Sequence, residues 1–76
     1  MIMPLPVLKP EQIIKALEKL GFKRHRQKGS HLIMVKEKMQ CQPVIPMHNK
    51  DMKKGTLRAI IRQVGLTVEE FLKLLE

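Results

Sequence analysis

The chain has 76 residues, of which fifteen are Lys or Arg and seven are Asp or Glu, leaving a net charge of +8 and a pI near 10.1. That length allows one small domain, spanning residues 1–76, and leaves no room for a second domain or a large cofactor site. With 43% hydrophobic residues the chain is too apolar for a disordered basic tail, and the excess charge points to a polyanionic partner.

The opening residues are apolar but short and broken by Pro4 and Pro6, so they make a poor signal peptide and cannot span a bilayer. The first helix is predicted over residues 10–20. Pro10 suits a first helical position, where a missing N–H costs nothing. Ile13, Ile14, Leu17 and Leu20 form one apolar stripe, while Glu11, Lys15 and Lys19 face water. Gly21 is placed to stop the helix.

A strand over residues 22–28 follows, polar on both faces after Phe22. Gly29-Ser30 fits a two-residue hairpin turn with glycine first. The apolar run inside residues 31–36 is too short for a helix and reads as a buried strand. A third strand is expected over residues 42–48, pushed to the sheet edge by Pro43 and Pro46. The second helix covers residues 54–64, with Leu57, Ile60, Ile61 and Val64 inward and Gly65 as its stop. The last helix starts at Thr67, whose spacing to Glu70 is that of a capping box, and buries Val68, Phe71, Leu72 and Leu75. The order α-β-β-β-α-α indicates an α+β fold, with the helices on one face of a three-stranded antiparallel sheet.

Charge is concentrated in residues 22–54. There Lys23, Arg24, Arg26, Lys28, Lys36, Lys38, Lys50, Lys53 and Lys54 oppose only Glu37 and Asp51. Phosphate binding with counterion release needs clustering of this kind. With two Phe and no Trp or Tyr, no aromatic platform for stacking single-stranded bases is available. Contacts to phosphate and ribose are expected instead, as on double-helical RNA.

Three histidines are candidates for proton transfer near neutral pH: His25, His31 and His48. Cleavage of RNA through the ribose 2′-OH needs a proton acceptor, a proton donor for the leaving 5′-oxygen, and positive charge on the phosphate. His31, just after the Gly29-Ser30 turn, suits either proton role. Arg26, Lys28, Lys50 or Lys53 suit the third. The plainer alternative is that a histidine on a basic surface is only polar and Gly29-Ser30 only a turn. Ser30 lacks an acidic triad partner, which argues against a nucleophile. His31 and His48 lack a third local ligand, so no metal or other cofactor is expected. The methionines suit core filling. A single cysteine, Cys41, excludes an internal disulfide, reads as an inert thiol and fits a cytoplasmic protein.

The string Arg26-Gln27-Lys28-Gly29-Ser30-His31 stands ahead of Ile45-Pro46-Met47-His48 and of KGTLRAIIRQVGL, which begins at Lys54. Together with KPEQIIKALEKLGF near the start and LTVEEFLKLL near the end, these motifs resemble HicA-type toxins of HicAB toxin–antitoxin systems over residues 5–75. The resemblance implies a double-stranded-RNA-binding-domain-like (dsRBD-like) fold. It also implies an mRNA interferase that cleaves without a metal and is neutralised by a HicB-type antitoxin. It maps the catalytic histidine onto His31 and the motif glycine onto Gly29. Arg26, Lys28, Gly29, Ser30, Lys50 and Lys53 become the expected RNA-binding residues, and His48 a possible auxiliary proton carrier. Leu32 stands where many members carry a second histidine, and residues 36–41 lack the family's frequent Asp-Gly turn. A non-catalytic double-stranded-RNA-binding module of the same fold is the alternative. A pure protein-interaction module with a basic face is a third.

Overall fold

The structure, a computed structural model, describes residues 5–47 and 51–75. Its elements run in the order α1 (Pro10–Lys19), β1 (Lys23–Lys28), β2 (His31–Val35), β3 (Val44–Pro46), α2 (Lys54–Gln63) and α3 (Val68–Leu74). This is the expected α+β order, and the arrangement is consistent with a dsRBD-like fold.

Helix α1 starts on Pro10, and the Gln12 side-chain oxygen accepts a hydrogen bond from the Lys9 N–H at 2.9 Å. Ile13, Ile14, Ala16 and Leu17 are buried, and Glu11, Lys15, Glu18 and Lys19 are exposed. The helix closes with two backbone bonds, Gly21 N–H to Glu18 C=O and Phe22 N–H to Leu17 C=O, both near 3.0 Å. That pair is a Schellman motif, and it needs Gly21 at φ +102°. Phe22 is drawn into the helix stop and the core, so β1 begins one residue later than the alternation suggested.

Strands β1 and β2 form the expected hairpin. Lys28 pairs with His31 across Gly29-Ser30, and Gly29 holds φ +60° at the first central position. A bulge falls at His25, between the pairs Arg24 with Met34 and Arg26 with Ile33. All six β1 residues are exposed. Cations and a bulge on an edge strand discourage pairing with other chains.

Strand β2 lies in the middle of the β1-β2-β3 order. Its apolar run is buried on one face only. Leu32 and Met34 pass under the helices, while Ile33 and Val35 stay half-buried on the other face. Strand β3 is shorter than the run expected over residues 42–48. Pro43 and Pro46 have no N–H to give the ladder. Pro43 still accepts from the Met34 N–H at 3.0 Å, and the Met47 N–H bonds to the Ser30 carbonyl.

The turn over residues 36–39 closes through the Met39 N–H to the Lys36 carbonyl at 3.1 Å. Lys38 takes φ +71° there, the conformation that an Asp-Gly turn would give to glycine. For an L-residue that conformation costs roughly 1–2 kcal/mol, of which glycine's greater chain entropy returns about half. Lys38→Gly is therefore expected to stabilise the protein by about 0.5–1 kcal/mol, read as a thermal midpoint raised by a few degrees.

Leu57, Ile60 and Ile61 of α2 are buried, and a second pair of closing bonds, Gly65 to Arg62 and Leu66 to Ile61, ends that helix. Helix α3 has the expected capping box. The Glu70 N–H donates to Thr67 Oγ1 at 3.1 Å, and the Thr67 N–H to Glu70 Oε1 at 2.8 Å. The Lys19 ammonium donates to the Leu74 carbonyl at 2.7 Å, placing a cation at the negative end of α3. One core results, drawn from Leu5 and Leu8, the inner faces of α1 and α2, Phe22, Leu32, Met34, Ile45 and Phe71. Each such side chain contributes about 2 kcal/mol when buried.

Candidate nucleic-acid site

The segments that precede α1 and α2 are joined. The Met52 N–H donates to the Leu8 carbonyl at 2.7 Å, and the Lys9 ammonium stands 3.8 Å from the Asp51 carboxylate. The ion pair is exposed and contributes little energy. The backbone bond, with Leu8 and Met52 buried beside it, fixes the relative position of the two helix starts. His31 begins β2 at the same end of the molecule.

Between these parts lies a cleft of about 280 Å³ lined by Pro10, His31, Pro46, Asp51, Met52, Lys53 and Thr56. Pro10 from one side of the sequence, and Pro46 with residues 51–53 and 56 from the other, thus meet around His31. Lys53 is the residue before the first turn of α2, and no side chain caps it. The N–H groups of Lys54, Gly55 and Thr56 therefore have no intrahelical acceptor. No acidic residue stands in that first turn. The helix dipole and Lys53 act together there, which favours an anion. Among the cleft-lining residues Asp51 is the one carboxylate, and Lys9 balances it.

Of the residues expected from sequence, His31 and Lys53 line the cleft. Lys28 is exposed and pairs with His31 on the neighbouring strand, with Gly29 and Ser30 in the turn between them. Arg26 pairs with Ile33, two places further along the sheet, and does not line the cleft. His48 and Lys50 lie outside the described residues. His25 occupies the bulge on the β1 edge, away from the cleft lining. Arg24, one of the clustered cations, is engaged by Glu11 at 3.2 Å. Cys41 is a half-buried free thiol. Among the described residues no three His, Cys, Asp or Glu side chains gather as a metal site would require.

Thr56 was not singled out from the sequence. It is half-buried, it lines the cleft with His31, and its hydroxyl has no hydrogen-bond partner among the described residues. The signal for it was present: Lys53-Lys54-Gly55-Thr56 opens a helix with cations and no acid, the reverse of ordinary capping.

No described helix is long and apolar enough to cross a membrane. Comparison with curated proteins returns no match. The family model described as HicA toxin of bacterial toxin-antitoxin matches residues 10–66, a span that holds α1, the sheet, α2 and every described wall of the His31 cleft. The chain belongs to the HicA toxin family of bacterial toxin–antitoxin systems.

Proposed function

We propose that the protein is a cytoplasmic endoribonuclease that cleaves mRNA and so arrests translation and growth, with His31 as the proton-transferring residue. The observation that carries this reading is the cleft in which His31 meets Lys53 and Thr56 at the uncapped start of α2. In the proposed reaction the ribose 2′-oxygen attacks the adjacent phosphorus. The O2′–P bond forms, the P–O5′ bond breaks, and the 2′-OH proton leaves as the 5′-oxygen gains one. His31 carries one of these two protons. Lys53 and the free N–H groups of α2 take the charge that develops on the phosphate oxygens. Lys28, beside His31, holds a neighbouring phosphate, and Arg26 with the Gly29-Ser30 turn extends that track along the hairpin. His48 and Lys50 remain candidates for the second proton and for further phosphate contact. Each of these roles falls to a side chain or a backbone N–H group of the protein, so the proposed reaction is written without a metal.

The Thr56 hydroxyl is placed to donate a hydrogen bond to phosphate or ribose. Such a bond to a charged group contributes about 1.5–3 kcal/mol. Thr56→Val is expected to lower kcat/KM for RNA cleavage roughly tenfold or more, with an unchanged circular dichroism spectrum and thermal midpoint.

The decisive test incubates the purified protein with end-labelled RNA in the presence of a chelator. Cleavage leaving 2′,3′-cyclic phosphate ends supports the reading. Tight, salt-sensitive binding without cleavage would favour the non-catalytic RNA-binding module. Neutralisation by an antitoxin partner follows from the family, and its HicB type from the resemblance in the motifs.

A further inference from the structure

Cleavage through the 2′-oxygen moves two protons, one off the ribose 2′-OH and one onto the departing 5′-oxygen, and each needs a group at the bond being made or broken. Among the described residues around the cleft, Pro10, Pro46 and Met52 have no side-chain proton to exchange, and the Thr56 hydroxyl is a weak base. His31, Asp51 and Lys53 are left. An ammonium such as Lys53 has no lone pair, so it cannot accept. A carboxylate is the reverse, because at neutral pH it has lone pairs and no proton to give. Asp51 therefore suits one role, that of acceptor, and leaves the donor's role to His31.

The setting of Asp51 points the same way. It precedes a helix start that favours anions, with Lys53 and the free N–H groups of Lys54, Gly55 and Thr56. A carboxylate there repels the phosphate that the rest of the cleft attracts, which for binding alone is a defect. Lys9 offsets part of the charge from 3.8 Å, too far for a hydrogen bond, and the Asp51 side chain is 55% exposed. Its oxygens are open to a substrate hydroxyl. His31 pairs with Pro46 across β2 and β3 on the sheet side of the cleft, whereas Asp51 belongs to the segment entering α2. In-line displacement sets the entering and leaving oxygens on opposite sides of phosphorus, and an acid and a base from separate elements can stand one on each side.

We infer that Asp51 is the general base of this nuclease and His31 its general acid, an assignment that rests on the function proposed above. The Asp51 carboxylate takes the 2′-OH proton as the O2′–P bond forms. The P–O5′ bond breaks, its electron pair stays on the 5′-oxygen, and the His31 imidazolium gives that oxygen a proton. The products carry a 2′,3′-cyclic phosphate and a 5′-hydroxyl. Solvent then takes the proton from Asp51 and returns one to His31.

The test uses one oligoribonucleotide in two forms, natural and with sulfur in place of the 5′-oxygen at the bond the wild type cuts. A thiolate leaves without a proton, so the sulfur form needs the base but not the acid. On natural RNA, Asp51→Asn and His31→Ala should each lower kcat at least about a hundredfold. On the sulfur form His31→Ala should recover most of its rate, and Asp51→Asn should not. Asp51→Asn should bind RNA at least as tightly as the wild type, because a repelling charge is gone. Lys9→Met breaks the ion pair and keeps the carboxylate, so it should lose less than about tenfold, as an exposed pair contributes little. The assignment is overturned if Asp51→Asn cleaves natural RNA like the wild type, or if Lys9→Met loses as much as Asp51→Asn. It is overturned too if the sulfur form rescues Asp51→Asn or fails to rescue His31→Ala. In each of these outcomes the wild type still cuts, so the nuclease stands and only the division of proton roles falls. A wild type that cuts neither form removes both.

Discussion

His31→Ala should abolish RNA cleavage in vitro and relieve growth arrest in cells that express the protein, while the domain stays folded. Removing a positioned proton carrier costs about 10²–10⁴ in rate. His31 is exposed at the start of β2, and its side chain is no part of the buried core. The hairpin that presents it is closed by backbone bonds and by Gly29, which the substitution leaves intact. Stability should therefore change by less than about 1 kcal/mol, as for most surface replacements. RNA binding should also survive, because Lys53 and Lys28 remain. Retained binding with lost turnover separates a catalytic histidine from a structural one. Turnover at the wild-type rate in this variant would remove His31 from the mechanism.

Phe71→Ala should produce the largest loss of stability of any substitution considered. Phe71 is 0% exposed, and it is the one fully buried side chain of α3. Seven residues are too few for a helix to hold itself in water, so α3 persists through its packing and its capping box. Truncating a buried phenylalanine costs about 3–5 kcal/mol. A domain of this size has total stability of about 5–10 kcal/mol, and each kcal/mol moves the midpoint by about 4–8 °C. The variant should melt at least about 12 °C lower, with α3 and the Lys19 contact to Leu74 released first. A shift of under about 5 °C would mean that α3 contributes little to the core.

Most of the fold was legible because this chain marks its boundaries locally. Pro10, Gly21, Gly29, Gly65 and Thr67 each suit the local backbone geometry, and a helix or strand begins or ends within two residues of each. The third strand was overestimated for an equally local reason, since two prolines remove the N–H groups that ladder bonds would use. The run from Leu32 to Val35 read simply as a buried strand, because hydrophobicity alone does not reveal how many layers cover a sheet. Here the helices cover one face, and Ile33 and Val35 stay half-buried on the other. The turn at Lys38 carried no visible signal, because nothing in a lysine announces a positive φ.

The site was legible in part. His31 and Lys53 are the kind of residue that attracts notice, one for its pKa range and the other for its charge. Thr56, Asp51 and the Pro10 wall are ordinary residues whose importance arises from convergence across the chain. Arg26 belonged to the charge cluster by sequence distance, yet strand geometry carries it along the sheet toward the open face and away from the cleft.

The bond between Leu8 and Met52 has a consequence for the timing of toxicity. The described walls of the cleft come from residue 10, from residue 31, and from residues 46, 51–53 and 56. A ribosome making this chain releases the His31 hairpin well before α2 has left the exit tunnel. Until then the cleft lacks its cationic wall and Leu8 has no partner to close on. Domains generally fold as units, so the nascent protein should remain harmless until α2 has emerged. A partner already present in the cell would thus meet the toxin at the moment it becomes competent, with no earlier interval of damage to repair.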